Sequence, residues 1–221
     1  SKSVMLYTTA RVPLLAKQIE SVGQDIVVLQ EAFSDSDRRN LLDALVKTYP
    51  HRTRILGRDR FTEQDGGVVI LSKFPIDRQF QRLYGDSCAG SDCLADKGVL
   101  YARINVSSKP LHLFGTHLQA GNERPTREKQ LRIVSELISS MHIPASQPVL
   151  IAGDLNVDLR SGAEFESMLS ILGASHPGPT PRENGHTTAS GSQFLDYVLF
   201  SKRHLAPVQA SNSVEIVKVD G

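Results

Sequence analysis

The residues best suited to chemistry lie in Ala152-Gly153-Asp154-Leu155-Asn156, directly after the apolar run Pro148-Val149-Leu150-Ile151. This reads as a buried strand that ends in glycine and then offers a carboxylate and an amide two positions apart. In an extended chain, side chains two apart share a face, so Asp154 and Asn156 are expected to point into one cleft. Such a pair can hold a metal ion, a phosphate or an attacking water. Other strand-like runs also end in polar groups: Gln30-Glu31, Thr116-His117, and Asp196 within Phe194-Leu195-Asp196-Tyr197-Val198. Ligand sites gather at strand ends in layered α/β folds, so these ends point to a common site.

Each candidate has a plain alternative. Glu31 alone reads as a solvated strand-end carboxylate. Beside Asp154 and Asn156 it becomes a ligand for a hard, oxygen-seeking ion, and magnesium fits best because it takes one or two carboxylates plus waters and phosphate. His117 is either simply hydrogen-bonded or placed to protonate a leaving oxygen. Asp196 is a carboxylate inside an apolar strand, so it needs a partner, for which an imidazole is natural. Lys97-Gly98 is a turn or a cation near substrate. Arg127 and Gln130 lie on a long helix, where solvation is the simplest reading. His186-Thr187-Thr188 divides evenly between a turn cluster and a functional loop.

The elements that must position these groups alternate between strand and helix. Strands are expected at Asp25 to Glu31, Gly66 to Ser72, Val99 to Val106, Leu111 to His117, Phe194 to Ser201 and Val214 to Val219. Ser1-Lys2-Ser3-Val4 also reads as part of a strand. Helices are expected at Val12 to Val22, Ser34 to Tyr49 (capped by Ser34 or Asp35), Glu123 to Met141 and Glu164 to Leu172. Gly173 to Gly191 reads as a polar loop.

A chain of 221 residues suits one large domain. With 40% hydrophobic residues, it has no apolar run long enough to span a bilayer. Its net charge of +1 gives no strong nucleic-acid signal. The two cysteines, Cys88 and Cys93, are either free thiols or a small disulfide ring around Gly90. The ring is the favoured reading and leans towards an oxidising compartment, hence secretion with a leader already removed.

As an ordered set, Asp25 to Glu31, Gly66-Gly67-Val68 to Pro75, Gly115-Thr116-His117-Leu118, Gly153-Asp154-Leu155-Asn156 and Leu195-Asp196-Tyr197 resemble the endonuclease/exonuclease/phosphatase superfamily. Within it, Val28-Leu29-Gln30-Glu31-Ala32-Phe33, the cysteine loop leading into Asp96-Lys97-Gly98, and Thr116-His117-Leu118-Gln119-Ala120 are most similar to bacterial-type neutral sphingomyelinases. The resemblance implies a deoxyribonuclease-like four-layer α/β sandwich of two packed mixed sheets flanked by helices. It implies magnesium-dependent hydrolysis of sphingomyelin to ceramide and phosphocholine, with manganese or cobalt as alternative ions. Glu31 and Asp154 would hold the metal, and Asp154 and Asn156 would position water and phosphate. His117 would stabilise or protonate the phosphoryl group, Lys97 and Arg127 would contact substrate, and Asp196 would orient a general-base histidine.

That histidine belongs to a Ser-Asp-His segment in the family, and no histidine follows His204 here; Ser3 stands where the family's first strand carries asparagine. The expectation is therefore a single catalytic domain lacking its last strand, with a non-catalytic lipid-binding relative as the alternative. A secreted nuclease or an inositol-phosphate phosphatase are further alternatives. The enzyme is expected to be a monomer that touches membranes peripherally. Lytic insertion is not expected, because Lys202 to Asp220 has no aromatic residue and the chain has no Trp.

Overall fold

Alternation along two strands sets the layering. In Val69–Ser72, Val69 and Leu71 pack on helices while Ile70 faces a second sheet. In Gly98–Val106, Leu100, Ala102 and Ile104 face the first sheet, whereas Val99 and Tyr101 face the other way. A strand covered on both faces needs apolar residues at every position, and Val68-Val69-Ile70-Leu71 and Val99-Leu100-Tyr101-Ala102 supply them.

The computed structural model describes residues 2–57, 64–178, 185–188 and 190–214, with side chains from residue 11 onward. In chain order its elements are α1 (Lys2–Val22), β1 (Ile26–Leu29), α2 (Asp35–Leu45), β2 (His51–Arg52), β3 (Val69–Ser72), β4 (Ile76–Leu83), β5 (Gly98–Val106), β6 (Lys109–His117), α3 (Arg124–Ser140), β7 (Val149–Asp154), α4 (Ala163–Leu172), β8 (Ala174–Ser175) and β9 (Asp196–Ser201). A sheet ordered β1-β3-β2 packs on one ordered β4-β5-β6-β7-β9-β8. Helices α1 and α2 cover the first sheet and α3 and α4 the second. This is the expected four-layer sandwich. The smaller sheet is antiparallel throughout its described strands; only the larger is mixed, through the parallel pair β6–β7.

Local chemistry explains the boundaries. Ser34 caps α2, its Oγ accepting the Asp37 N–H at 3.3 Å, with Asp35 and Asp37 in the positive first turn. Ser107 and Ser108 close the β5–β6 hairpin with φ of 49° and 68°, the left-handed pair that matches strand twist. Strand β6 begins at Lys109, two residues before the expected start at Leu111.

Three expectations need correction or completion. The start of the chain is helical rather than a strand, since α1 begins at Lys2. A short apolar run such as Val4-Met5-Leu6 carries no period of its own, and here it continues the helix that Val12 to Val22 announces. Strand β4 was not anticipated, because Asp77-Arg78-Gln79-Phe80 is an exposed sheet edge with no apolar alternation. Of the expected last strand Val214 to Val219, all but Val214 lies outside the described residues.

Candidate active site

Three adjacent strand ends meet on one side of the larger sheet. His117 of β6 stands opposite Asp154 of β7, which stands opposite Asp196 of β9. Gly153 makes the approach possible. Its φ is 138°, and a Cβ there would lie 1.9 Å from the Thr116 carbonyl oxygen and 3.2 Å from Gln30 Nε2. Only glycine fits.

Asp154 and Asn156 do converge, but not by strand extension. The strand stops at Asp154, and Asn156 turns back with φ of 49°. Asp154 Oδ1 accepts the Asn156 N–H at 2.8 Å, an Asx turn that aims both side chains at the β6 end. Asn156 Nδ2 then donates to the Leu118 carbonyl at 3.0 Å.

The same carbonyl receives Lys97 Nζ, also at 3.0 Å. Lys97 is buried, donates to Asp92 Oδ2 at 2.6 Å, and lies 3.4 Å from His117 Nε2. That ring nitrogen is 3.7 Å from Asp154 Oδ2, while Nδ1 is buried with no partner among the described residues. Burial, with Lys97 beside it, pushes the His117 pKa down to about 4, so the ring is neutral at pH 7. Asp92 sits in the loop closed by a Cys88–Cys93 disulfide. Its carboxylate also accepts the Ala120 N–H at 2.9 Å, and Gln119 bonds both N–H and carbonyl of Ala89. The ring thus clamps the segment that follows His117.

On the other flank, negative groups crowd. Burial first, then the charges of Asp196 and, more weakly, Glu31 raise the Asp154 pKa to about 7, partly opposed by the Asn156 N–H and Lys97. Burial also raises that of Asp196, opposed by a hydrogen bond from Thr187. Thr187 Oγ1 accepts the Leu195 and Asp196 N–H groups at 2.9 and 3.1 Å. The expected partner of Asp196 was an imidazole; among the described residues it is this hydroxyl. Arg160 fastens the Thr187 loop through the Gly185 and Ser192 carbonyls, both at 2.7 Å. A cleft of about 750 Å³ opens here, lined by Gln30, Gly153, Thr187, Asp196 and Tyr197.

The donor set suits magnesium. Its atoms are hard oxygens, and a carboxylate driven towards neutrality by carboxylate neighbours is relieved by a cation. No group of three or more His, Cys, Asp or Glu converges tightly enough to hold an ion among the described residues. Glu31 is exposed, with φ of 53°, and lines a second cavity of about 430 Å³ between α1, α2 and β1, yet its charge still reaches Asp154.

The expected residues therefore separate. His117, Asp154, Asn156 and Lys97 form one connected cluster, with Asp196 beside it and Glu31 linked to Asp154 through charge alone. Arg127, expected at the substrate or solvated, is 4% exposed and fully engaged by the Gln119 and Gly121 carbonyls and Glu164. Gln130 is equally buried, accepting the Gln119 N–H and donating to Ser87 O. Both brace the loop. Sequence reasoning passed over Asp92; its only signal was a carboxylate inside the cysteine ring five residues before a lysine.

Residues 10–216 match the Endonuclease/Exonuclease/phosphatase family. The chain belongs to it. Within this family, the chain is similar to sphingomyelinase C of Bacillus cereus, 33% identical over 246 residues that cover 93% of this chain and 72% of that protein. The structure of sphingomyelinase C from Streptomyces griseocarneus superposes with a TM-score of 0.80 at 33% identity, covering 91% of this chain and 79% of that one. A Staphylococcus aureus beta toxin double mutant with bound magnesium ions gives 0.81 at 28% identity, covering 93% and 82%.

Proposed function

We propose that this protein is a magnesium-dependent phosphodiesterase that hydrolyses sphingomyelin to ceramide and phosphocholine. The observation that carries the reading is the row of His117, Asp154 and Asp196 on three adjacent strand ends, in a chain one-third identical to sphingomyelinase C. Bound through Asp154 and Glu31, magnesium would neutralise charge on the phosphodiester and favour ionised water at neutral pH.

The chain's own residues do the rest. Asp154 and Asn156, locked by their Asx turn, position the attacking water and a phosphoryl oxygen. Lys97 adds a fixed positive charge beside the developing phosphorane, where a preorganised cation in a partly buried site acts strongly. Neutral His117 hydrogen-bonds the phosphoryl group and steadies its charge as the P–O bond breaks, while the proton taken from the attacking water by the general base is returned to the ceramide oxygen. Asp196 orients the histidine that acts as general base. The proposal includes a single catalytic domain, a monomer with peripheral membrane contact, and secretion; the Cys88–Cys93 disulfide supports the last. No helix among the described residues is long and apolar enough to cross a membrane.

The test is phosphocholine release from sphingomyelin vesicles by the longest natural form of the chain, with magnesium and with chelator. Release that needs magnesium is expected. Absence of release with magnesium, alongside cleavage of DNA or of an inositol phosphate, would replace this reading with another activity of the family.

A further inference from the structure

Away from the strand ends, a cleft of about 500 Å³ lies between α2, the segment around β2, and β4. Arg39 enters from α2, and Arg52 and Arg54 enter from one side of an extended stretch whose intervening residue, Thr53, is buried. The charges are poorly matched. The neighbouring Arg38 is buried and held by Ala32 O, Asp35 and Asp65, so Asp35 is already engaged. Arg52 has only Asp43 at 4.0 Å, both side chains about half exposed. Arg39 and Arg54 have no ion pair or side-chain hydrogen bond among the described residues.

Two amides complete the lining. Gln79 Oε1 accepts the Arg54 N–H at 2.8 Å, and Gln81 Oε1 accepts the Gly57 N–H at 2.9 Å. Each amide is oriented by its oxygen, so its Nε2 donors remain, and neither Nε2 has a partner among the described residues. The cleft thus presents three guanidinium forks and two amide donors, with Asp43 as its one loosely held carboxylate. Guanidinium forks match the paired oxygens of phosphate, and the volume suits a small headgroup rather than a polymer.

We infer that Arg39, Arg52 and Arg54, with Gln79 and Gln81, form a binding site for a multiply charged phosphate group, separate from the candidate active site. The inference is independent of the proposed reaction. The phosphate is either free in solution or carried at the end of an acidic lipid, and the chemistry at the cleft is the same. Because the arginines are exposed, binding weakens as salt rises.

Calorimetric titration of inorganic pyrophosphate into the chelated protein reads the soluble source. Sedimentation with phosphatidylcholine vesicles, with and without phosphatidic acid, reads the lipid source. Replacing Arg39→Gln together with Arg54→Gln is expected to weaken one of these interactions by about tenfold or more, as for two lost charge-assisted contacts. Arg39→Lys with Arg54→Lys, which keeps charge and loses the forks, is expected to fall between. Loss of pyrophosphate binding alone assigns a soluble ligand; loss of phosphatidic-acid-dependent sedimentation assigns a lipid. Pyrophosphate bound at the catalytic cleft would be indifferent to both pairs. Unchanged affinity in both assays for both pairs overturns the site and leaves the arginines as guards of a sheet edge. Should the glutamine pair fail to fold, the lysine pair and Arg52→Gln give the same decision.

Discussion

The two flanks of Asp154 are built on opposite principles. On the His117 side Lys97 and Asp92 answer one another: Lys97 has Asp92 and the Leu118 carbonyl, and Asp92 also has the Ala120 N–H. On the Asp196 side like charges face one another, with Thr187 and the Asn156 N–H as the relief described. One flank is built around a matched ion pair. The other carries unspent negative potential, which is where a cation gains most. Burial alone therefore does not mark chemistry in this fold; what differs is whether the buried charge is satisfied.

The largest expected effect comes from the centre. Asp154→Asn in the active full-length form should lower phosphocholine release by about 100-fold or more, as for loss of a water-positioning carboxylate; activity within a few-fold of the parent would remove Asp154 from the reaction. Next is the satisfied flank. Lys97→Met strands Asp92 in a partly buried site and should lower stability by about 3 kcal/mol in urea melts. Adding Asp92→Asn should recover part of that loss, and additive effects of the two changes would mean the pair is not coupled. Removing the clamp with Cys88→Ser and Cys93→Ser should reduce stability by about 2 kcal/mol, because the ring is short. A drop matching that of Lys97→Met would mean that the disulfide, not the ion pair, holds the flank together.

The smallest effect contrasts the flanks through pH. Without metal, folded Asp154 keeps its proton up to about pH 7, while an unfolded aspartate loses it near pH 4. The folded state then binds more protons across that window, so stability falls as pH rises through it. His117 acts oppositely: its folded pKa is about 4 against about 6.5 unfolded, so stability rises between those values. The slopes oppose in the wild type. Of these two opposing slopes, chelated Asp154→Asn keeps only that of His117, so stability should climb more steeply from about pH 4 to about pH 6.5 than in the parent. Parallel pH profiles would show that Asp154 titrates normally.

The sequence by itself carried the layered fold and most of the strand ends, because strands buried on both faces must be apolar throughout and polar residues at their ends then stand out. Val68-Val69-Ile70-Leu71 and Gly153-Asp154 are legible for that reason. It carried the disulfide as a favoured reading and the helix cap at Ser34 through short-range turn and capping chemistry. Beyond its reach were β4, whose exposed edge has no apolar period, and the helical start of the chain, whose apolar run fits either element. Only the tertiary structure decided the partners. That Asp92 holds Lys97, that Thr187 answers Asp196, and that Arg127 and Gln130 are braces are facts of strand register and loop placement. Charge satisfaction is a property of neighbours in space, and a linear pattern does not contain them.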